Sequence, residues 1–369
     1  TADGTVWNKH ETRNPKFEAP APDCFEFRIS CFGFRISGSR MTLILVKKLL
    51  RDSRPALAVV CVLLFLFAML WVKVTQRVTA EITPFVDAVT QIARLPKRVF
   101  DDVLFRGPGK VSQAVLGGGD LNFQEPKDFL AVGLLHPVVV ILASVWAIGR
   151  AAGAVAGELD RGTMELLMSQ PVPRNRLILA HLVVDALAIP LLCLSFYAGT
   201  QAGLWAVGPF TIDYAAVRAT LEKNENVPRA VFALANIPTG TKDMTPDTGG
   251  QGSALVNLAA LMFALSGLTM ALSAAGRSRW KVVGFGVLMG VLMFAANVLG
   301  QLWDDAAWVR PFTAFYYYQP QKVMLRGEWT VDVFGAAGVP VVAVLITTGA
   351  AGYLLALRTF TRRDLPAPL

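Results

Sequence analysis

Long apolar runs, each about the length of a membrane span, recur along the chain. Only one of these runs contains a charged residue, which is Asp185 in the third. The runs cover residues 55–72, 129–149, 177–207, 253–275, 282–303 and 333–357. A helix needs about 20 mostly apolar residues to cross a bilayer core, and lipid offers an unpaired backbone no hydrogen-bond partner. The pattern therefore predicts an all-α, polytopic membrane protein with six transmembrane helices.

Composition and charge support this prediction and orient it. The 369 residues are 54% hydrophobic and 17% charged, with a net charge of +8, whereas soluble domains carry about 25% charged residues. Lysine and arginine are densest in four short segments that alternate with the longer connections, namely 41–54, 150–176, 276–281 and 358–369. Basic loops stay in the cytoplasm. We therefore expect both termini inside a bacterial cytoplasmic membrane, the lipid bilayer as a partner, and no nucleic-acid partner.

The first forty residues differ from the rest of the chain. They contain a short direct repeat, Phe27–Ser30 and Phe34–Ser37, and they have neither a long apolar run nor the pattern of a signal peptide. Met41 then opens a sequence typical of the start of a membrane protein. We interpret residues 1–40 as an N-terminal extension, either upstream sequence translated from a wrong start or a disordered tail. Residues 41–369 are interpreted as the six-span domain.

The connection between the second and third runs, residues 150–176, carries an unusual pattern. Acidic residues precede a short segment, 163–169, that can form a helix with Thr163 as its N-cap and Leu166 and Leu167 on its apolar side. Pro171 and Pro173 would end that helix. A short helix tied to two membrane spans can transmit force to a soluble partner. The pattern alone also fits an ordinary charged loop beside a membrane.

The amino-acid sequence of this loop resembles the signature of type-2 ABC exporter permeases. The matching residues are Glu158, Gly162-Thr163, Glu165, Leu166-Leu167, Pro171-Val172 and Arg174. Pro173 departs from the serine or threonine usual in that family, and His181 stands where lysine is frequent. The end of the chain, Phe360–Pro366, also resembles these permeases, and the similarity extends over roughly residues 41–369. Similar sequences include the permeases of nitrous-oxide-reductase maturation and of sodium or drug export.

The resemblance implies the membrane-spanning permease subunit of an ATP-driven exporter. Such a subunit pairs with a second permease copy and binds separate ATP-binding subunits, which hold the ATP and magnesium, so no cofactor is expected in this chain. The loop then acts as a cytoplasmic coupling helix that docks on the ATP-binding subunit. The residues expected to dock are Glu158, Arg161, Gly162, Thr163, Glu165 and Leu167.

The sequence shows no enzymatic motif that would replace such a partner. The nearest imitation of a phosphate-binding loop, Gly107–Ser112, lacks the spacing that lets backbone amides surround a phosphate. Three scattered histidines do not form a metal-binding pattern. The chain is therefore predicted not to be an enzyme, and its energy source either comes from another chain or is absent.

A few polar residues within the apolar runs are candidates for a polar lining of the transport path, since such residues usually face the bundle interior. They are Asp185, Asn257, Asn297 and Gln301. Asp185 follows His181 by one helical turn, which fits either a polar patch on the path or a pair that orients the third helix near the membrane surface. Two alternatives to the exporter stay open: a membrane anchoring or assembly protein without a transport cycle, and an ion-coupled secondary transporter.

Overall fold

The computed structural model describes residues 38–92, 125–169, 173–223 and 240–363. Within them, six helical segments are long and apolar enough to cross a membrane. These are α1 (Gly38–Ile92), the pair α2 (Pro126–Leu135) and α3 (Pro137–Ala152), α6 (Arg174–Val207), α8 (Gln251–Ala275), α9 (Arg279–Leu302) and α11 (Val341–Arg362). The predicted all-α class with six spans is confirmed. Two segments interpreted above lie outside the described residues. They are the N-terminal extension, apart from the start of α1, and the glycine-containing segment 107–112.

Several shorter elements connect the membrane helices. The loop after α3 contains α4 (Ala156–Asp160) and α5 (Thr163–Met168). The segment after α6 contains β1 (Phe210–Asp213), α7 (Tyr214–Lys223) and β2 (Thr241–Met244), and the segment after α9 contains 3₁₀ turns, α10 (Pro320–Arg326), β3 (Thr330–Val333) and β4 (Ala336–Pro340). The strands form two antiparallel hairpins, β1 with β2 and β3 with β4. The connection between α6 and α8 therefore contains regular structure in β1, β2 and α7.

The start predicted for the sixth span, residue 333, is wrong. The helix begins at Val341, and residues 336–340 form a strand. The residues between are apolar, so hydropathy could not separate them from the span. Phe334 and Gly335 have positive φ angles of 49° and 84°, which a helix excludes, and Pro340 is the N-cap of α11.

The first span is part of a much longer helix than the apolar run 55–72. α1 has 55 residues and continues through Pro55 and Pro84. The charged residues before Pro55 limit the apolar run without ending the helix, because their side chains are exposed. The second span has the opposite irregularity. It breaks at His136, whose Nδ1 accepts a hydrogen bond from the Val138 amide, and Pro137 starts the next helix.

The bundle is built around α8, which packs along α11 and also contacts α3, α6 and α9. α8 and α11 approach so closely at Gly267 that a methyl group there would overlap the Gly349 carbonyl. α1 packs along α6 in a second closely packed pair. We call the end of the bundle that carries α4, α5 and Arg363 the loop face, and the opposite end, with the two strand pairs, the hairpin face.

Candidate docking loop and the polar network beneath it

The loop between α3 and α6 is fastened to the central helix at its first residues. Ser273 of α8 is fully buried. Its hydroxyl donates to the Ala152 carbonyl and accepts from the amides of Val155 and Ala156, each at 3.1 Å. One serine thus satisfies three backbone groups at the end of α3, where helical partners run out. The loop therefore starts from a fixed point on α8.

Glu158 organises the bend between α4 and α5. Its carboxylate accepts from Arg161 Nη2 at 2.6 Å and from the Thr163 hydroxyl. Gly162 has a φ of 68°, in the left-handed region that favours glycine, and it is the N-cap of α5. The expectation that Thr163 is the N-cap is wrong, because Thr163 is the first helical residue and its hydroxyl bonds to Glu158 instead.

α5 has a buried side and an exposed side. Met164 is 2% exposed and packs with Leu177, Met270 and Phe360 from three membrane helices. Leu166 is 72% exposed, and Glu165 beside it is also exposed. The apolar side predicted from Leu166 and Leu167 is therefore formed by Met164, with Leu167 half-buried against the same cluster. The helix is held by one methionine and presents a leucine and a glutamate outward.

The predicted docking residues divide into two groups. Arg161, Gly162, Thr163 and Glu165 are exposed on the loop face. Glu158 and Leu167 are half-buried and face the loop itself. Leu166 was predicted on the apolar side of the helix and outside the docking set. It is the most exposed apolar side chain among the loop residues that the structure describes.

The far end of the loop is braced by two arginines. Arg174 donates to the Arg363 carbonyl at 2.7 Å, and Arg363 in turn donates to the carbonyls of Ala274 and Gly276 at 2.9 and 2.8 Å. Cationic side chains suit the unpaired carbonyls at a helix C-terminus. The start of α6, the end of α8 and the end of α11 are thereby joined beside the loop.

A buried polar network lies inside the bundle below this loop. Asp185 of α6 is fully buried and forms an ion pair with Arg150 of α3, with Nε and Oδ1 2.5 Å apart. Ser266 of α8 and Tyr353 of α11 both donate to the same carboxylate. The network therefore connects four membrane segments. A buried carboxylate is tolerated when it is paired and hydrogen-bonded in this way.

His181 belongs to this network through Arg150 and not through Asp185. Arg150 Nη1 lies 3.0 Å from His181 Nδ1, and Arg150 Nη2 donates to the His181 carbonyl at 2.9 Å. The interpretation of His181 and Asp185 as a pair at the membrane surface is therefore wrong. The missing signal was Arg150, which follows the second apolar run directly and reads as an ordinary interfacial arginine.

The other three predicted lining residues lie apart from Asp185. The Asn257 side chain donates to the Tyr317 carbonyl at 3.0 Å and accepts from the Gln319 amide at 2.8 Å. Asn297 is half-buried and accepts from Arg310 at 3.4 Å, and Gln301 is half-buried near the end of α9. No hydrogen bond between described residues joins any two of the four. They do not form one continuous polar lining in this conformation.

These features define a class of protein, a polytopic α-helical membrane protein with a short braced loop between its second and third spans. The family model described as ABC-2 family transporter protein matches residues 100–365. This match covers more than half of the chain, and the chain belongs to that family. It is therefore a membrane-spanning transport protein of permease type. The comparison with curated proteins and the comparison with solved structures each gave no match.

Proposed function

We propose that this chain is the permease subunit of an ATP-driven exporter, and that its 156–169 loop docks on a separate ATP-binding subunit. The observation that supports the proposal most is the construction of α5. Its outward side carries the exposed pair Glu165 and Leu166, while Met164 and Ser273 hold the loop to the membrane helices. A displacement of this loop by a partner would pass directly to α8. ATP and magnesium would be bound by that partner.

The loop face is then the cytoplasmic face of the bacterial membrane. Its exposed basic residues include Arg51, Arg54, Arg277 and Arg279, and basic residues beside membrane helices favour the cytoplasm. Both termini would lie on this side. A second permease copy would complete the path, as family membership implies in general.

The two alternatives fit the structure less well. An ion-coupled transporter would need an ionisable group free to take up its ion, and Asp185 is engaged by Arg150, Ser266 and Tyr353. An anchoring protein would bind a partner without responding to nucleotide. The loop bracing favours transmitted motion over simple attachment, and the experiment below separates these functions.

The test is co-purification of the tagged chain from gently solubilised native membranes. We expect a phosphate-binding-loop ATPase to follow the wild type and to be depleted at least several-fold by Leu166→Ala combined with Glu165→Ala, since a few residues carry most of the binding energy of an interface. Leu43→Ala is the matched control, because Leu43 is 66% exposed near the start of α1 and outside the loop.

Absence of an ATPase from the wild-type sample, despite crosslinking and an intact fold, would contradict the exporter assignment. Equal retention by the loop variant and the Leu43→Ala control would leave an ATPase partner but contradict docking through α5. An ATPase that binds without any nucleotide-dependent change in the permease would favour the anchoring function.

A further inference from the structure

A cavity of about 370 Å³ opens beside the docking loop and the polar network. Its walls come from the loop-face ends of α1, α3, α6 and α9 and from the loop itself. One part of the lining is apolar and includes Leu49, Val60 and Val145. The other part is polar and contains arginine, histidine and tryptophan side chains. A cavity with two such halves suits a ligand that is itself amphiphilic.

One of the three arginines that line the cavity forms no ion pair with a described residue. Arg150 is paired with Asp185, and Arg161 with Glu158. Asp52 also lines the cavity and forms an ion pair with the exposed Arg51 at 3.9 Å. Arg279 is the remaining lining arginine, and within the described ranges it forms no ion pair.

Arg279 is also held in position over the loop. Its side chain lies along Gly153 and Gly157, within ordinary van der Waals distance of where side chains would begin at these two glycines. Its exposed side chain therefore lies at the rim of the cavity, on the first turn of α9. An arginine in this place can take an oxyanion with paired hydrogen bonds.

Two buried N–H groups belong to residues that line the same cavity. Arginine can only donate, so the His181 Nδ1 beside Arg150 is the acceptor and the proton of the neutral ring lies on Nε2. His181 Nε2 and Trp146 Nε1 are both buried, and neither has a hydrogen-bond partner among the residues that the structure describes. His181 is 5% and Trp146 4% exposed. Unpaired buried donors are unfavourable. Neither atom faces the open cavity in this conformation, so an acceptor reaches them only when the side chains around the cavity move apart.

We propose that this cavity binds an amphiphile with a phosphate- or carboxylate-type anionic head. Arg279 would hold the head at the rim, and the N–H groups of Trp146 and His181 would bond to it once the cavity opens around the ligand. The apolar residues of α1 and α3 would hold the tail. We further infer that such amphiphiles are the class of molecule transported, and this part of the inference rests on the proposed permease function. Because Glu158 and Arg161 of the docking loop line the same cavity, an occupant would also touch the element that contacts the ATP-binding subunit.

The test measures binding of dodecyl phosphate to the purified full chain in phosphatidylcholine nanodiscs, without any ATPase. We expect saturable binding, weakened about tenfold by Arg279→Gln and about threefold or more by Trp146→Phe, as for hydrogen bonds to a charged group. Arg277→Gln is the matched control, because Arg277 is exposed two residues away and does not line the cavity. It is expected to bind within about twofold of the wild type.

Further arms separate the sources of the anionic head. Competition by phosphatidic acid placed in the nanodisc would identify a bilayer lipid as an occupant, and absence of that competition would identify a soluble amphiphile. Inorganic phosphate that competes as well as unlabelled dodecyl phosphate would overturn the proposal of an amphiphilic ligand, because the apolar half of the cavity would then contribute nothing to binding.

Equal binding of the neutral dodecanol, or an equal loss in Arg277→Gln and Arg279→Gln, would overturn the anion site. Since no ATPase is present, these results are independent of the co-purification test. Failure of this site would leave the permease function standing, and loss of the ATPase partner would leave the ligand site standing.

Discussion

The fourth and fifth membrane helices, α8 and α9, have nearly the same hydropathy and opposite positions in the bundle. Their most apolar windows have mean hydropathies of 2.0 and 2.3, yet 67% of the α8 window is buried against 11% for α9. In water, apolar residues favour burial. In a bilayer they do not need it, because the lipid tails are as apolar as a leucine side chain. Hydropathy therefore places both helices in the membrane and cannot say which one is central.

The difference lies in small and polar residues. α8 carries Ser266, Gly267 and Ser273, which contact Asp185, α11 and the loop between α3 and α6 respectively. α9 has one glycine in open space, Gly284, and large exposed side chains such as Phe285 and Leu292. Close helix packing in membranes depends on small residues and interhelical hydrogen bonds. α8 is thus the helix through which the loop and the polar network are joined.

The largest expected effect comes from the polar network that α8 completes. Asp185→Asn would leave the Arg150 guanidinium buried without a counter-charge, and loss of one partner of a buried pair costs about 3–5 kcal/mol. We expect a strong drop in the free energy of unfolding, measured by thermal and SDS unfolding in micelles. Asp160→Asn, at an exposed loop position, is the matched control. Equal stability of the two variants would show that the pair does not hold the helices together.

A smaller effect compares the two helices directly with the same substitution. Gly267→Ala in α8 would force α11 away, because the new methyl group overlaps the Gly349 backbone, and overpacking costs about 1–3 kcal/mol. Gly284→Ala in α9 would meet no atom within 4 Å and is expected to be neutral or slightly stabilising. The readout is the midpoint of thermal unfolding of each variant. A loss at Gly284 as large as that at Gly267 would contradict the peripheral position of α9.

The sequence predicted the membrane helices well and their contacts poorly. The number of spans follows from apolar length, which the bilayer imposes on every span alike. The sixth span was started too early because Phe334 and Gly335 are as apolar or as small as helix residues, and only their positive φ angles exclude them. Hydropathy contains no information on that geometry.

For the candidate site, the sequence likewise located one segment and missed the contacts between helices. The loop was located by its motif, since the resemblance rests on adjacent residues. The network beneath it joins Arg150, Asp185, Ser266 and Tyr353, which are separated by up to 203 positions from first to last. Each of them is unremarkable within its own helix. Only packing of the helices brings them together, and the hydropathy of a membrane helix does not show which of its faces meets protein.

The smallest expected effect concerns the outer side of α9. Leu292 is 58% exposed in the single chain, so Leu292→Ala removes contacts with lipid and leaves no cavity inside the bundle. We expect a change below about 0.5 kcal/mol in the free energy of unfolding, as for substitutions away from packed features, measured by SDS titration of the monomeric chain. A loss above that range in the monomer would contradict the exposed position of this side chain.

Self-association of the same variant, measured by crosslinking in nanodiscs, is a second readout. A second permease copy seated on α9 would lose contacts in Leu292→Ala while the monomer kept its stability, whereas a lipid-covered α9 would leave both readouts unchanged.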